Sequence, residues 1–185
     1  AEGDSAMRDL NFDLELTWSG TGRQGAGQIQ THDLLLELSG PESMGGRGVG
    51  ANPEELLVCA VSSCYTATLF ALLRRAQLPA DSLAVGASGT VTGFPAATRF
   101  ARIVVTPTVI GGDIARQPEY EAAATLPHDR CFIGHALAPE VAYEVGPVHV
   151  QGDLLHAPSV DQPLPDSQDA NERASGSRAA SGDMA

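Results

Sequence analysis

Apolar residues Leu10, Phe12, Leu14, Leu16 and Trp18 alternate with Asn11, Asp13, Glu15 and Thr17, the two-residue period of a half-buried strand. The glycine-rich stretch 19–27 predicts a turn, followed by a hairpin partner at 28–31, another strand at 33–39 and a glycine-laden loop over 40–51. At Asn52 the period changes. Asn52 suits an N-cap, Pro53 the first helical position and Glu55 the third residue of a capping box. The helix that opens there can run to about residue 77, with Leu57, Ala60, Val61, Cys64, Ala67, Thr68, Ala71 and Leu72 as its inward stripe. Its middle is uncharged, and Arg74 and Arg75 complement the negative end of its dipole. These features predict a central, mostly buried helix.

Strand patterns return at 83–94 and 100–110, separated by a turn at Pro95 and Ala96. Pro107 predicts a sheet edge or a bulge, because proline cannot donate a ladder hydrogen bond. Residues 118–126 read as a helix, Pro127 as its interruption, 130–137 as a second short helix and 141–151 as the last strand. The chain thus divides into a leader or cloning remnant at 1–9, one α+β domain at 10–151 and an acidic tail at 152–185. The tail lacks an apolar period and is expected to be disordered.

Composition narrows the functional classes. A formal net charge of -12 opposes nonspecific binding to nucleic acid or to an anionic membrane surface. All 11 basic residues are arginine, which excludes Schiff-base lysine chemistry and the lysine-dependent phosphate loop. With no secretory pattern at the start and no run read as a membrane span, the expected location is the cytoplasm. Three cysteines, Cys59, Cys64 and Cys131, do not make a secreted disulfide framework. In a reducing compartment such residues are core hydrophobes, metal ligands or catalytic thiols. A metal reading draws on His128, Cys131 and His135, at i, i+3 and i+7, although Pro127 disturbs that segment and closed zinc sites generally want four ligands.

The run Gly50-Ala51-Asn52-Pro53-Glu54-Glu55-Leu56-Leu57, followed by small and apolar residues to Cys64-Tyr65, resembles the signature of the OsmC/Ohr family. The resemblance extends over about residues 10–151. It implies an α+β fold with antiparallel sheets wrapped around a long central helix, in an intertwined homodimer. It also implies a cysteine-based hydroperoxide reductase in which Cys64 is the peroxidatic cysteine, Cys131 the resolving one and Arg23 the cation beside the thiolate. His128, three residues before Cys131, fits the same pattern. Where many members have Cys-Pro at the second site, this chain has Cys131-Phe132.

The implied chemistry is coherent. A thiolate attacks the peroxide, and an ordinary cysteine with a pKa of roughly 8.5 needs a neighbouring cation to ionise at neutral pH. Arg23 would supply that charge, and the Glu54 carboxylate would orient the guanidinium. Cys64 would become a sulfenic acid and condense with Cys131 to a disulfide before overoxidation. Cys59 is not the expected resolver, because five helical residues place it about 8–9 Å from Cys64 and pointing away, and it is read as core. No bound cofactor is expected; the reductant would be an external thiol or dithiol, such as a lipoyl group or a lipoylated protein. Glu54 and Cys64 lie about 15 Å apart along one helix, so both reach a single arginine either if two chains share each site, the expected arrangement, or if the helix breaks near Ser62-Ser63 within one chain. A noncatalytic relative binding a small apolar ligand between subunits is the competing reading.

Overall fold

The computed structural model describes residues 9–152. Apart from Asp9 and Gly152, the expected leader and disordered tail lie outside the described residues.

The first sheet has the order β1-β2-β3, built from β1 (Glu15–Ser19), β2 (Ala26–Gln30) and β3 (Leu35–Ser39), all antiparallel. β1 is shorter than the alternation from Leu10 suggests. The register pairs Glu15 with Gln30, the last residue of β2, so residues 10–14 have no ladder partner. Half-burial does not occur either: every β1 residue is exposed, Leu16 at 52% and Trp18 at 48%. Trp18 lies flat on the hairpin instead, where a Cβ on Gly25 or Gly27 would meet its ring at 2.5 and 2.9 Å. Glycine is what allows that approach.

The loop after β3 folds back onto it. Ala51 donates to the Glu37 carbonyl at 2.9 Å, and the Ser39 hydroxyl both donates to the Val49 carbonyl and accepts its N–H. This delivers Asn52 to the start of α1 (Pro53–Arg75), where the expected capping box forms. The Glu55 N–H donates to Asn52 Oδ1 at 2.8 Å and the Asn52 N–H to Glu55 Oε2 at 3.3 Å.

The second sheet is centred on β5 (Arg99–Ile110). It pairs antiparallel with β4 (Ser82–Thr92) and parallel with both β6 (Ala142–Val145) and β7 (His149–Gln151). The single strand expected over 141–151 is therefore split at Gly146-Pro147, and the sheet is mixed. β5 is an interior strand, contrary to the edge position inferred from Pro107, and the register shift falls at Thr90/Val91. Pro107 is tolerated because it sits between the β6 ladder, which ends at Val105, and the β7 ladder, which begins at Thr108.

α1 packs one side against this sheet and against α2 (Gln117–Arg130), with Val61, Tyr65, Leu69, Leu72 and Leu73 buried. The inward face is rotated from the expected stripe: Ala60, Ala67 and Ala71 are exposed and Cys64 is at the edge. A helix apolar on every side does not mark its inner face by periodicity. The same property makes α1 long and apolar enough to cross a membrane by length and composition, contrary to the reading that no such run exists. Its buried Val61–Leu73 side belongs to the domain core, so we read it as a core helix.

α2 continues through Pro127 and ends only at Cys131, which caps α3 (Phe132–His135). The break expected at Pro127 therefore falls four residues later. The Cys131 N–H closes α2 by donating to the Pro127 carbonyl at 2.7 Å, and extended backbone at Cys131 (ψ 100°) then turns the chain.

Candidate active site

The break between α2 and α3 positions Cys131. Its side chain is fully buried, its Sγ accepts the Gly134 N–H at 3.3 Å, and the thiol points to the Val61 carbonyl of α1 at 4.0 Å. Val61 lies three residues before Cys64, so this sulfur rests against the helical turn that carries Cys64. Burial pushes the Cys131 thiol up to about 11, helped by the neighbouring Cys64 side chain and opposed by the Gly134 N–H. The two thiols are thus neighbours, both unbridged, with Cys64 half-buried and Cys131 protonated at neutral pH.

Two tyrosines that the sequence reading did not single out frame the pair. Tyr65 donates its hydroxyl to the Ala124 carbonyl at 2.9 Å, tying the Cys64 turn of α1 to α2. Tyr143 on β6 stacks on His128 with ring centroids 5.1 Å apart, and its raised pKa reflects burial first, then the nearby Cys131, Tyr65 and Cys64. Only the identity of Tyr65, adjacent to Cys64, could have signalled either role in advance.

The other two expected site residues stand elsewhere in the chain. Arg23 lies in the turn between β1 and β2, with its guanidinium 5.6 Å from the Phe94 ring centroid and packed against Gly45. Glu54, in the first turn of α1, has a buried Oε2 without a hydrogen-bond partner among the described residues. Neither forms an ion pair with the other among the described residues. Glu54 borders a cleft of about 420 Å³ between α1 and the β4–β5 hairpin, lined by Val58, Cys59, Val85 and Phe100 among others. Cys59 is therefore exposed in that cleft, not core, because the buried face of α1 runs through Val61 and Tyr65 on its other side. His128, Cys131 and His135 do not converge: no metal-binding group of three His, Cys, Asp or Glu side chains occurs among the described residues.

Comparison with known proteins bears on the fold and the family. The family described as OsmC-like protein matches residues 45–145. The uncharacterized protein YmaD of Bacillus subtilis strain 168 is 30% identical over 142 residues, covering 75% of this chain and 94% of YmaD. Among solved structures, an organic hydroperoxide resistance protein OsmC from Legionella pneumophila superposes with a TM-score of 0.61 at 20% identity, covering 77% of this chain and all of the other. The organic hydroperoxide resistance protein OhrB of Bacillus subtilis gives 0.56 at 13% identity, covering 76% and 98%. At those identities the structures speak for the fold; with the family match across the helix that carries Cys64 and the segment that carries Cys131, they establish that this chain belongs to the OsmC/Ohr family.

Proposed function

We propose that this chain is a thiol-dependent peroxidase that reduces organic hydroperoxides to alcohols in the cytoplasm. The observation that carries the reading is a pair of free thiols at one turn of α1: Cys64, which the turn carries, and buried Cys131 at the α2–α3 break, whose sulfur rests against its Val61 carbonyl. The Cys64 thiolate attacks the terminal peroxide oxygen, the O–O bond breaks, and the alkoxide takes a proton and leaves as the alcohol. Cys131 then displaces the oxygen from the Cys64 sulfenic acid as water, forming the disulfide. An external thiol or dithiol returns both residues to thiols, with a lipoyl group or a lipoylated protein as the candidate reductant. The apolar surroundings of the pair favour an organic peroxide over hydrogen peroxide.

We further propose that the working form is a homodimer in which Arg23 and Glu54 complete sites shared between chains. Supporting this are the exposed apolar residues of the first sheet, the exposed Ala60–Ala67–Ala71 side of α1 and the buried, unpartnered Glu54 Oε2. Counting thiols before and after one equivalent of cumene hydroperoxide tests the reaction. The peroxidase reading expects a loss of two thiols per chain that a dithiol reverses. An unchanged thiol count would reject it.

A further inference from the structure

Tyr143 carries a hydroxyl that the reaction above leaves idle. The residue is 8% exposed, and its hydroxyl oxygen is buried without a hydrogen-bond partner among the described residues. Its ring is fixed on two sides. One face stacks on His128, and the ring edge fills the space left by Gly134, where an added Cβ would meet it at 2.6 Å. Gly134 is also the residue whose N–H holds the Cys131 sulfur, so one glycine seats both the phenol and the resolving thiol. The ionisable groups around the phenol include His128 on its ring face together with Cys131, Tyr65 and Cys64, and Tyr65 already donates to Ala124.

A buried donor without an acceptor leaves its desolvation uncompensated. Thiol sulfurs are weak acceptors, whereas an oxygen bonded to the Cys64 sulfur is a good one. Oxidation of Cys64 creates an acceptor of the kind this hydroxyl lacks. The resolving step also has a proton to move, because Cys131 must lose one and hydroxide is a poor leaving group.

We propose that Tyr143 is the proton donor to the oxygen on Cys64 as Cys131 displaces it, an assignment that rests on the peroxidase reading. A sulfur lone pair of Cys131 forms the S–S bond, and the S–O bond of the Cys64 sulfenic acid breaks with its pair going to oxygen. Tyr143 gives that oxygen its proton, and the Cys131 thiol proton restores the phenol. The net change is one sulfenic acid and one thiol converted to one disulfide and one water, with the oxidising equivalent supplied earlier by the peroxide.

The test is single-turnover oxidation of full-length wild type and Tyr143→Phe by one equivalent of cumene hydroperoxide. Sulfenic acid is trapped with dimedone and the disulfide is quantified by mass spectrometry at each time. Oxidation of Cys64 should stay within about twofold of wild type, while disulfide formation slows by about tenfold or more and trapped sulfenic acid accumulates. The thermal midpoint should be equal or higher, since the change deletes an unsatisfied hydroxyl. A variant that forms the disulfide at the wild-type rate would overturn the assignment and leave the peroxidase reading standing. Equal slowing of both steps with a lowered midpoint would overturn it in favour of a packing role. If wild-type Cys64 is not oxidised, the peroxidase reading fails and this assignment fails with it.

Discussion

The Tyr65 hydroxyl donates to the carbonyl of Ala124 at 2.9 Å, linking α1 to α2 one residue from Cys64. The bond is fully buried, and burial raises the Tyr65 pKa, which keeps the phenol a neutral donor. It fixes the turn of α1 that carries one cysteine relative to the helix whose end carries the other. Tyr65→Phe should lower stability by about 1 kcal/mol, the net value of one buried hydrogen bond. It should also slow Cys64–Cys131 disulfide formation. Urea unfolding with an unchanged m-value, alongside the rate of thiol loss, measures both effects.

At the start of the same helix, Asn52 and Glu55 satisfy each other's backbone N–H groups. Asn52→Ala removes the side-chain acceptor for the Glu55 N–H and should cost about 1 kcal/mol. Chemical denaturation reads the loss. Because the cap is distant from the cysteines along α1, the reactivity of Cys64 should change little in the folded variant.

That cap was legible because its three residues are adjacent in sequence and each satisfies a local backbone requirement. The hairpin of β4 and β5 was legible for the same reason. Other features depended on partners distant in the chain. The alternation from Leu10 promised a longer strand, but the ladder stops where β2 ends at Gln30. Pro107 looked like an edge residue because nothing local reveals that the parallel partner is interrupted opposite it. The inner face of α1 was ambiguous because Cys59, Ala60, Ala67 and Ala71 are as compatible with burial as Val61 and Leu69 are. Cys64 and Cys131 emerged through their resemblance to a family pattern. The contacts of Tyr143 with His128 and Gly134 exist only once β6 has docked beside α2 and α3.

The Cys131 thiol, pushed up to about 11 from 9.0 mainly by burial, should be the slowest of the three cysteines to alkylate near pH 8. Mass mapping of iodoacetamide-treated native protein checks the order, with exposed Cys59 as the internal reference. The sign of the linked stability effect follows from the raised value. The folded chain holds this proton more tightly than the unfolded chain does, so the contribution is complete below about pH 9 and is lost as pH rises toward 11. The difference in stability between wild type and Cys131→Ala should accordingly shrink over that interval. A difference that grows instead would contradict the buried, protonated thiol.

If sites are shared between chains, Glu54→Gln and Cys64→Ser proteins are each inactive alone but complement each other. In a heterodimer one of the two sites receives both native residues, so mixing under verified subunit exchange should restore about half of the wild-type activity per heterodimer. Verified exchange with no recovery would place both residues in one chain's site or remove Glu54 from the reaction.

The central claim is that peroxide joins Cys64 to Cys131, and disulfide mapping of the oxidised protein tests it most directly. After one equivalent of cumene hydroperoxide, wild type should yield a single peptide pair linking Cys64 to Cys131, with Cys59 still reduced. Cys131→Ser should stop at sulfenic acid on Cys64 and proceed to higher oxides with excess peroxide, while Cys64→Ser should show no rapid oxidation. A Cys59–Cys64 disulfide in the wild type, or rapid oxidation of Cys131 in the Cys64→Ser protein, would contradict the account.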